Sequence, residues 1–86
     1  MDINDLIAIV KKKLKNQINF ENIKIEDKSF LHKNHASNQE GKYHLKISLK
    51  SLELKKMSRI ESNKKIHKIL DYEITKFIHS IQIFID

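Results

Sequence analysis

The sequence predicts one mixed α/β (α+β) domain, residues 1–86, with the order helix-strand-strand-short helix-helix-strand and one three-stranded mixed sheet. Apolar residues recur at helical spacing near the N-terminus and again after Ser58. Two segments within residues 23–50 alternate apolar and polar side chains, and residues 78–85 are rich in β-branched residues. A strand that follows a helix normally returns parallel to the preceding strand through a right-handed crossover, so we expect the last strand to be parallel to the second.

The first helix has clear start and stop signals. Asp2 can cap it, and acidic residues at its start with lysines at its end complement the helix dipole. Its apolar residues recur at spacings of three and four, which predicts an amphipathic helix packed on a sheet. These residues are Ile3, Leu6, Ile7, Val10 and Leu14.

The two alternating segments, residues 23–26 and 43–50, are close enough in sequence to pair as antiparallel strands. The connection between them, residues 29–41, is about twice the usual length of a hairpin loop. Long loops in compact domains often carry function. We therefore expect function to lie in this loop, which carries His32 and His35.

Residues 51–57 predict a turn or a single helical turn, and Ser58 is a suitable cap for the second long helix. The predicted core stripe of that helix consists of Ile60, Ile66, Ile69, Leu70, Ile74 and Phe77. The last strand is expected to be buried. Its alternation predicts His79, Ile81, Ile83 and Ile85 on one side, and Ile78, Ser80, Gln82 and Phe84 on the other.

Composition excludes several classes of function. The chain has no cysteine, which rules out a disulfide, a catalytic thiol or a thiolate metal site supplied by this chain alone. Its single glycine, Gly41, leaves no phosphate-binding glycine loop and no dinucleotide fingerprint. No Ser, His and Asp stand in a catalytic order, so we expect a non-enzymatic protein. No export signal or membrane-spanning segment is visible, which favours a soluble cytoplasmic protein without membrane contact.

The net charge of +6 is unevenly distributed. Residues 42–68 carry eight lysines and Arg59 against two glutamates, which gives this stretch a net charge of +7. One basic face is expected, and it could meet nucleic acid, an acidic protein or no specific partner.

Three stretches resemble a known family. Residues 27–35 read D-K-S-F-L-H-K-N-H, similar to a D-x-S-x-x-H-x-x-H loop. Residues 41–47 read G-K-Y-H-L-K-I, similar to G-x-x-H-F-x-V, and residues 78–81 read I-H-S-I, similar to V-H-A-L. In this order the motifs resemble those of the BolA-like proteins. The resemblance covers nearly the whole chain and implies a class II KH-like fold.

The resemblance also implies that the protein partners a monothiol glutaredoxin and shares a [2Fe-2S] cluster with it and with glutathione. His79, at the start of the last strand, is the expected imidazole ligand, and the loop supplies a second ligand at His32 or, alternatively, His35. Two imidazoles can serve one iron while thiolates of the partner serve the other. We expect the isolated chain to bind no cluster and to be a monomer or a weak dimer.

Each histidine also has a plainer interpretation. His79 could simply bond to backbone in the core, and His32 and His35 could be solvated loop residues. His44 alternates onto the polar face of its strand and is expected to be structural, and His67 is assigned no role.

The sequence departs from the family pattern at two points. A basic R-H-R cluster found in many relatives reads Ser62-Asn63-Lys64 here, and Phe30 stands where a loop histidine is common. Lysine does not reproduce the bidentate contacts of arginine, which weakens the DNA-binding role proposed for some relatives. Transcriptional regulation through DNA remains the alternative. Its candidate residues are Lys55, Lys56, Arg59, Lys64, Lys65 and Lys68.

Overall fold

The computed structural model describes residues 1–29 and 42–86. Its helices are α1 (Ile3–Gln17), α2 (Leu52–Lys55), α3 (Arg59–Ile69) and α4 (Asp71–Lys76), and its strands are β1 (Asn22–Asp27), β2 (Tyr43–Lys50) and β3 (Ile78–Ile85). The predicted order of elements and the mixed α+β class are confirmed. Within the described residues, no helix has the length and apolar character needed to cross a bilayer.

The strands form one sheet in the order β1-β2-β3. β1 pairs antiparallel with β2, with Ile25 opposite Ile47. β2 and β3 are parallel, as the crossover argument predicts, with Ile47 opposite Ile83. The central strand β2 therefore fixes the register of both neighbours.

The hydrophobic core lies between the helices and one face of the sheet. Its fully buried members come from α1, β2, α2 and the later helices. They include Leu6, Val10, Leu14, Leu45, Ile47, Leu49, Leu54, Ile66 and Leu70. Side chains that alternate with the core residues of the strands lie on the opposite face, called the open face below. The open face carries Lys24, Glu26, His44, Lys46, Ser48, Ser80, Gln82 and Phe84.

Capping explains where the helices begin. The Asp2 carboxylate accepts from the Asn4 N–H at 2.9 Å, and the Ser58 hydroxyl accepts from the Glu61 N–H at 3.1 Å. Both caps are predicted from the sequence and confirmed. The cap of α2 is Ser51, whose buried hydroxyl accepts from the Leu54 N–H and donates to the Asn19 carbonyl at 2.6 Å.

The prediction of one continuous second helix is wrong in detail, because the helix is divided at Leu70. The backbone of this buried residue leaves helical geometry, with φ −99° and ψ 15°. Asp71 and Glu73 then occupy the first turn of α4, where acidic side chains favour a helix start.

Ile60 was predicted in the core stripe, and this prediction is wrong, since its side chain is 68% exposed. The buried face of α3 instead runs through Ser62 and Ile66. A helix turns by about 100° per residue, so Ile60, two residues before Ser62, points about 200° away from that face. Ile69, Ile74 and Phe77 pack against the core as predicted.

Candidate functional site: the histidine end of the sheet

The long connection between β1 and β2 is closed by hydrogen bonds at its base. The Lys28 N–H donates to the His44 carbonyl at 2.7 Å, and the His44 N–H donates to the Ser29 hydroxyl at 3.0 Å. The Ser29 N–H in turn donates to the Asp27 carboxylate at 2.9 Å, a local bond typical of aspartate at turns. His44 is therefore hydrogen-bonded to Lys28 and Ser29, the two described residues that come just before positions 30–41.

His79 lies at the same end of the sheet, in the second position of β3. The ladder pairs Tyr43 with Ile78 and then His44 with Ser80, so His79 is an extra residue on β3, a β-bulge. A bulge leaves its residue outside the ladder and can re-aim the side chain. The expected grouping of His79 with Ile81, Ile83 and Ile85 on one side of the strand is wrong for this reason. His79 is exposed, and Ile78, expected on the other side, is 2% exposed and belongs to the core.

His44 occupies the predicted face of β2, opposite the core, but is only 5% exposed. A 2.6 Å hydrogen bond joins its Nδ1 to the Ser80 hydroxyl. Its ring contacts that of His79, with the centroids 4.8 Å apart and the planes inclined by 56°. The structure thus brings His44, His79 and Ser80 together at the base of the long connection.

The two loop histidines of the sequence prediction, His32 and His35, lie outside the described residues. Within the part of the chain that the structure describes, no three His, Asp or Glu side chains form a group that could hold a metal ion. The described residues therefore contribute at most part of a metal site, and His79 is the exposed imidazole among those that meet at this end of the sheet.

The six basic residues of the alternative prediction are not equivalent. All are exposed except Lys65, which is partly buried and pairs with the Glu53 carboxylate at 3.2 Å. Lys55 and Arg59 line one groove of about 320 Å³, together with Asn63 and Phe84. A groove lined in part by basic residues thus runs between the α2–α3 turn and β3.

One ionisable group near the loop base has a displaced pKa. The Lys28 ammonium lies 3.0 Å from the Glu26 carboxylate, and this hydrogen bond lowers the pKa of Glu26. The positive charges of Lys24, Lys28 and Lys46 act in the same direction, whereas partial burial opposes them. Glu26 is accordingly ionised at neutral pH.

Two residues of this surface were not predicted to be functional. Ser80, next to His79, supplies the partner of His44, and Phe84 is 49% exposed on the open face with the Lys46 ammonium 5.0 Å from its ring centroid. The signal for Phe84 was its place in the alternation of β3. Ser80 had no signal of its own, because its partner is 36 residues away.

Comparison with known proteins agrees with this architecture. The BolA domain of SufE1 from Arabidopsis thaliana superimposes with a TM-score of 0.76 at 19% identity, covering 92% of this chain and 87% of that one. BolA1 from Arabidopsis thaliana superimposes with a TM-score of 0.75 at 20% identity, and the match again covers 92% of this chain and 87% of that one. BolA1 from Mus musculus superimposes with a TM-score of 0.72 at 21% identity, covering 90% of this chain and 60% of that one. These similarities establish the fold.

No curated protein matches the sequence. The sequence pattern of the family described as BolA-like protein matches residues 14–85, which run from α1 to the end of β3 and include all five histidines. With both the fold and the family pattern in agreement, the chain belongs to the BolA-like protein family.

Proposed function

We propose that this chain is a non-enzymatic cytoplasmic partner of a monothiol glutaredoxin, with which it co-ligates a [2Fe-2S] cluster in cluster assembly, trafficking or iron sensing. The observation that carries the proposal is the exposed His79 imidazole at the end of the sheet where the histidine-bearing connection begins. His32 follows Ser29 by three residues, a chain reach of at most about 10 Å. His32 is thus the candidate second imidazole ligand of this proposal.

The side chains that this protein can offer as ligands suit a [2Fe-2S] cluster that it shares with a partner. A chain without cysteine supplies imidazoles, and the glutaredoxin and glutathione would supply the thiolates. His79 would hold the iron together with His32 or, alternatively, His35. When bound, the cluster supplies one-electron chemistry, at a potential that histidine ligation raises relative to four thiolates.

The decisive experiment is an anaerobic titration of this protein into a [2Fe-2S]-loaded glutaredoxin homodimer, followed by visible absorption and circular dichroism. We expect a new spectrum that saturates at a defined ratio of the two proteins. His79→Ala should abolish this spectrum, because the imidazole ligand is lost. His32→Ala and His35→Ala, tested separately, should identify the loop ligand.

The matched control is His67→Ala, which removes an exposed imidazole from α3. It should give the wild-type spectrum. An unchanged spectrum for His79→Ala, measured beside this control, would refute His79 as a ligand.

A second candidate function, transcriptional regulation by DNA binding, rests on the groove that brings Lys55 and Arg59 together. If this groove holds phosphates, log Kd should vary with log salt, with a slope of about 0.9 for each phosphate contact. The double variant Lys55→Ala/Arg59→Ala should reduce that slope by about 2. Fluorescence anisotropy with labelled duplex DNA at several salt concentrations measures it.

Lys11→Ala/Lys12→Ala is the matched control, since it removes two exposed charges from α1. Equal slopes for the two double variants would show that only net charge matters. That result would remove the groove as a DNA site.

A further inference from the structure

His44 is a polar side chain that is buried on the face of the sheet that the helices do not cover. At 5% exposure it differs from Lys46 and Ser48, its neighbours on the same face, which are partly exposed. A buried imidazole is costly unless its nitrogens find partners. Here Nδ1 is satisfied by the Ser80 hydroxyl at 2.6 Å.

The main chain of His44 is also hydrogen-bonded on both of its polar groups. Its carbonyl accepts from the Lys28 N–H, and its own N–H donates to the Ser29 hydroxyl. β2 also pairs with a strand on each side at this end, with Asp27 opposite Leu45 and Ser80 opposite His44. The ring of His44 therefore has a fixed position relative to both neighbouring strands.

His79 has no such support from the ladder, because it is the bulged residue of β3. An exposed histidine can occupy several staggered χ1 rotamers. Its ring nevertheless contacts the fixed ring of His44, 4.8 Å away between centroids. This contact restricts the orientation of the His79 imidazole.

We propose that His44 is a positioning residue for His79: its buried ring, held by Ser80, keeps the His79 imidazole in one orientation. The functional meaning of this role rests on the proposed ligation by His79. In metal sites generally, partners that orient a ligand affect metal affinity by about 10- to 100-fold when removed. His44 itself does not suit a ligand role, because it is buried and its Nδ1 is engaged.

The first test needs no cluster. Three-bond couplings across χ1 of His79, measured by NMR on the isolated protein, should show a single rotamer in the wild type. In His44→Ala they should move to values averaged over rotamers. Gln82→Ala is the matched control, because it alters an exposed side chain further along the same strand that pairs with Lys46. It should leave the His79 couplings unchanged.

Ser80→Ala is the second variant, placed at an exposed position so that the fold survives even where His44→Ala does not fold. It removes the hydrogen bond to Nδ1 of His44 and should also average the His79 couplings. Couplings that are already averaged in the wild type, or that stay at one rotamer in both variants, would overturn the proposal.

The second test uses the cluster-loaded heterocomplex. His44→Ala should shorten the lifetime of its visible spectrum by about 10-fold, whereas Gln82→Ala should not. A wild-type lifetime in His44→Ala would overturn the positioning role in ligation. If the wild-type protein forms no such complex, the proposed function fails, and the NMR couplings still decide whether His44 positions His79.

Discussion

Glu26 sits on the open face of β1 among cations. Lys28 lies 3.0 Å away, and Lys24 lies at 4.0 Å. Because the pKa of Glu26 is lowered in the folded protein, the folded state favours the ionised carboxylate more than the unfolded state does. This contribution to stability is present above the unfolded pKa and is lost as pH falls through the lower folded pKa.

We predict that Glu26→Gln reduces the free energy of unfolding at about pH 7 and has a smaller effect at about pH 3. The variant carries no titrating group at this position, so its difference from the wild type should shrink as pH falls below 4.5, the ordinary pKa of the group. Urea unfolding at the two pH values measures the difference, with Gln82→Ala as a variant that changes no charge. A difference of the same size at both pH values would contradict the prediction.

Ser51 caps α2 and Ser58 caps α3, and each helix has a glutamate in its first turn. The two serines nevertheless differ in burial. Ser51 is fully buried and its hydroxyl bonds to both the Leu54 N–H and the Asn19 carbonyl. Ser58 is exposed and caps α3 through a single bond to the Glu61 N–H. Ser51 thus also ties the start of α2 to the segment that follows α1.

Ser51→Ala should therefore lower the free energy of unfolding by about 1–2 kcal/mol, and Ser58→Ala by about 0.5–1 kcal/mol. The larger loss follows because the Asn19 carbonyl, as well as the Leu54 N–H, would lose its partner. Chemical denaturation of the two variants under identical conditions provides the comparison. Equal losses would mean that the bond to Asn19 contributes nothing.

Elements with a strong local signal are the ones that sequence reasoning located well. β2 and β3 have the predicted bounds because alternation and β-branched residues mark them, and the start of α1 has the predicted cap. The division at Leu70 and the exposure of Ile60 were missed because they depend on what α3 and α4 pack against. No residue near Leu70 is a glycine or proline that would have signalled a break.

The candidate site could be predicted only in part. His79 was identified through the resemblance of residues 78–81 to a family motif, and the position of the long connection followed from strand spacing. The direction of His79 and its contact with His44 depend on the pairing of β2 with β3, which joins residues 36 apart. The register between β2 and β3 cannot be predicted from local sequence patterns.

An ion pair links α1 to α4. The Lys13 ammonium lies 2.7 Å from the Glu73 carboxylate, whose side chain is 4% exposed, whereas that of Lys13 is 40% exposed. Removing one partner of such a pair leaves a buried acceptor without its bond, and the cost exceeds the net value of the pair itself. The pair therefore fixes how α1 sits against α4.

Lys13→Met should lower the free energy of unfolding by about 1–3 kcal/mol, because Glu73 would remain buried without its cation. Adding Glu73→Leu should recover part of this loss, since no unpaired charge would remain. Urea unfolding of both single variants and the double variant completes the cycle, and Lys12→Met, at an exposed neighbour, should have little effect. Losses that simply add in the double variant would show that the two side chains do not interact.

Because of the bulge at His79, the face on which this side chain lies depends on whether the number of residues in this part of β3 is odd or even. In a regular strand, the side chains of His79 and Ile81 would lie on the same face, because the two residues are two positions apart. Because β3 has one extra residue here, the two side chains lie on different faces. The orientation is thus encoded in how many residues stand between Ile78 and Ile81, and no substitution changes that number. An insertion or a deletion between these two residues would therefore change which face of the sheet the His79 side chain lies on.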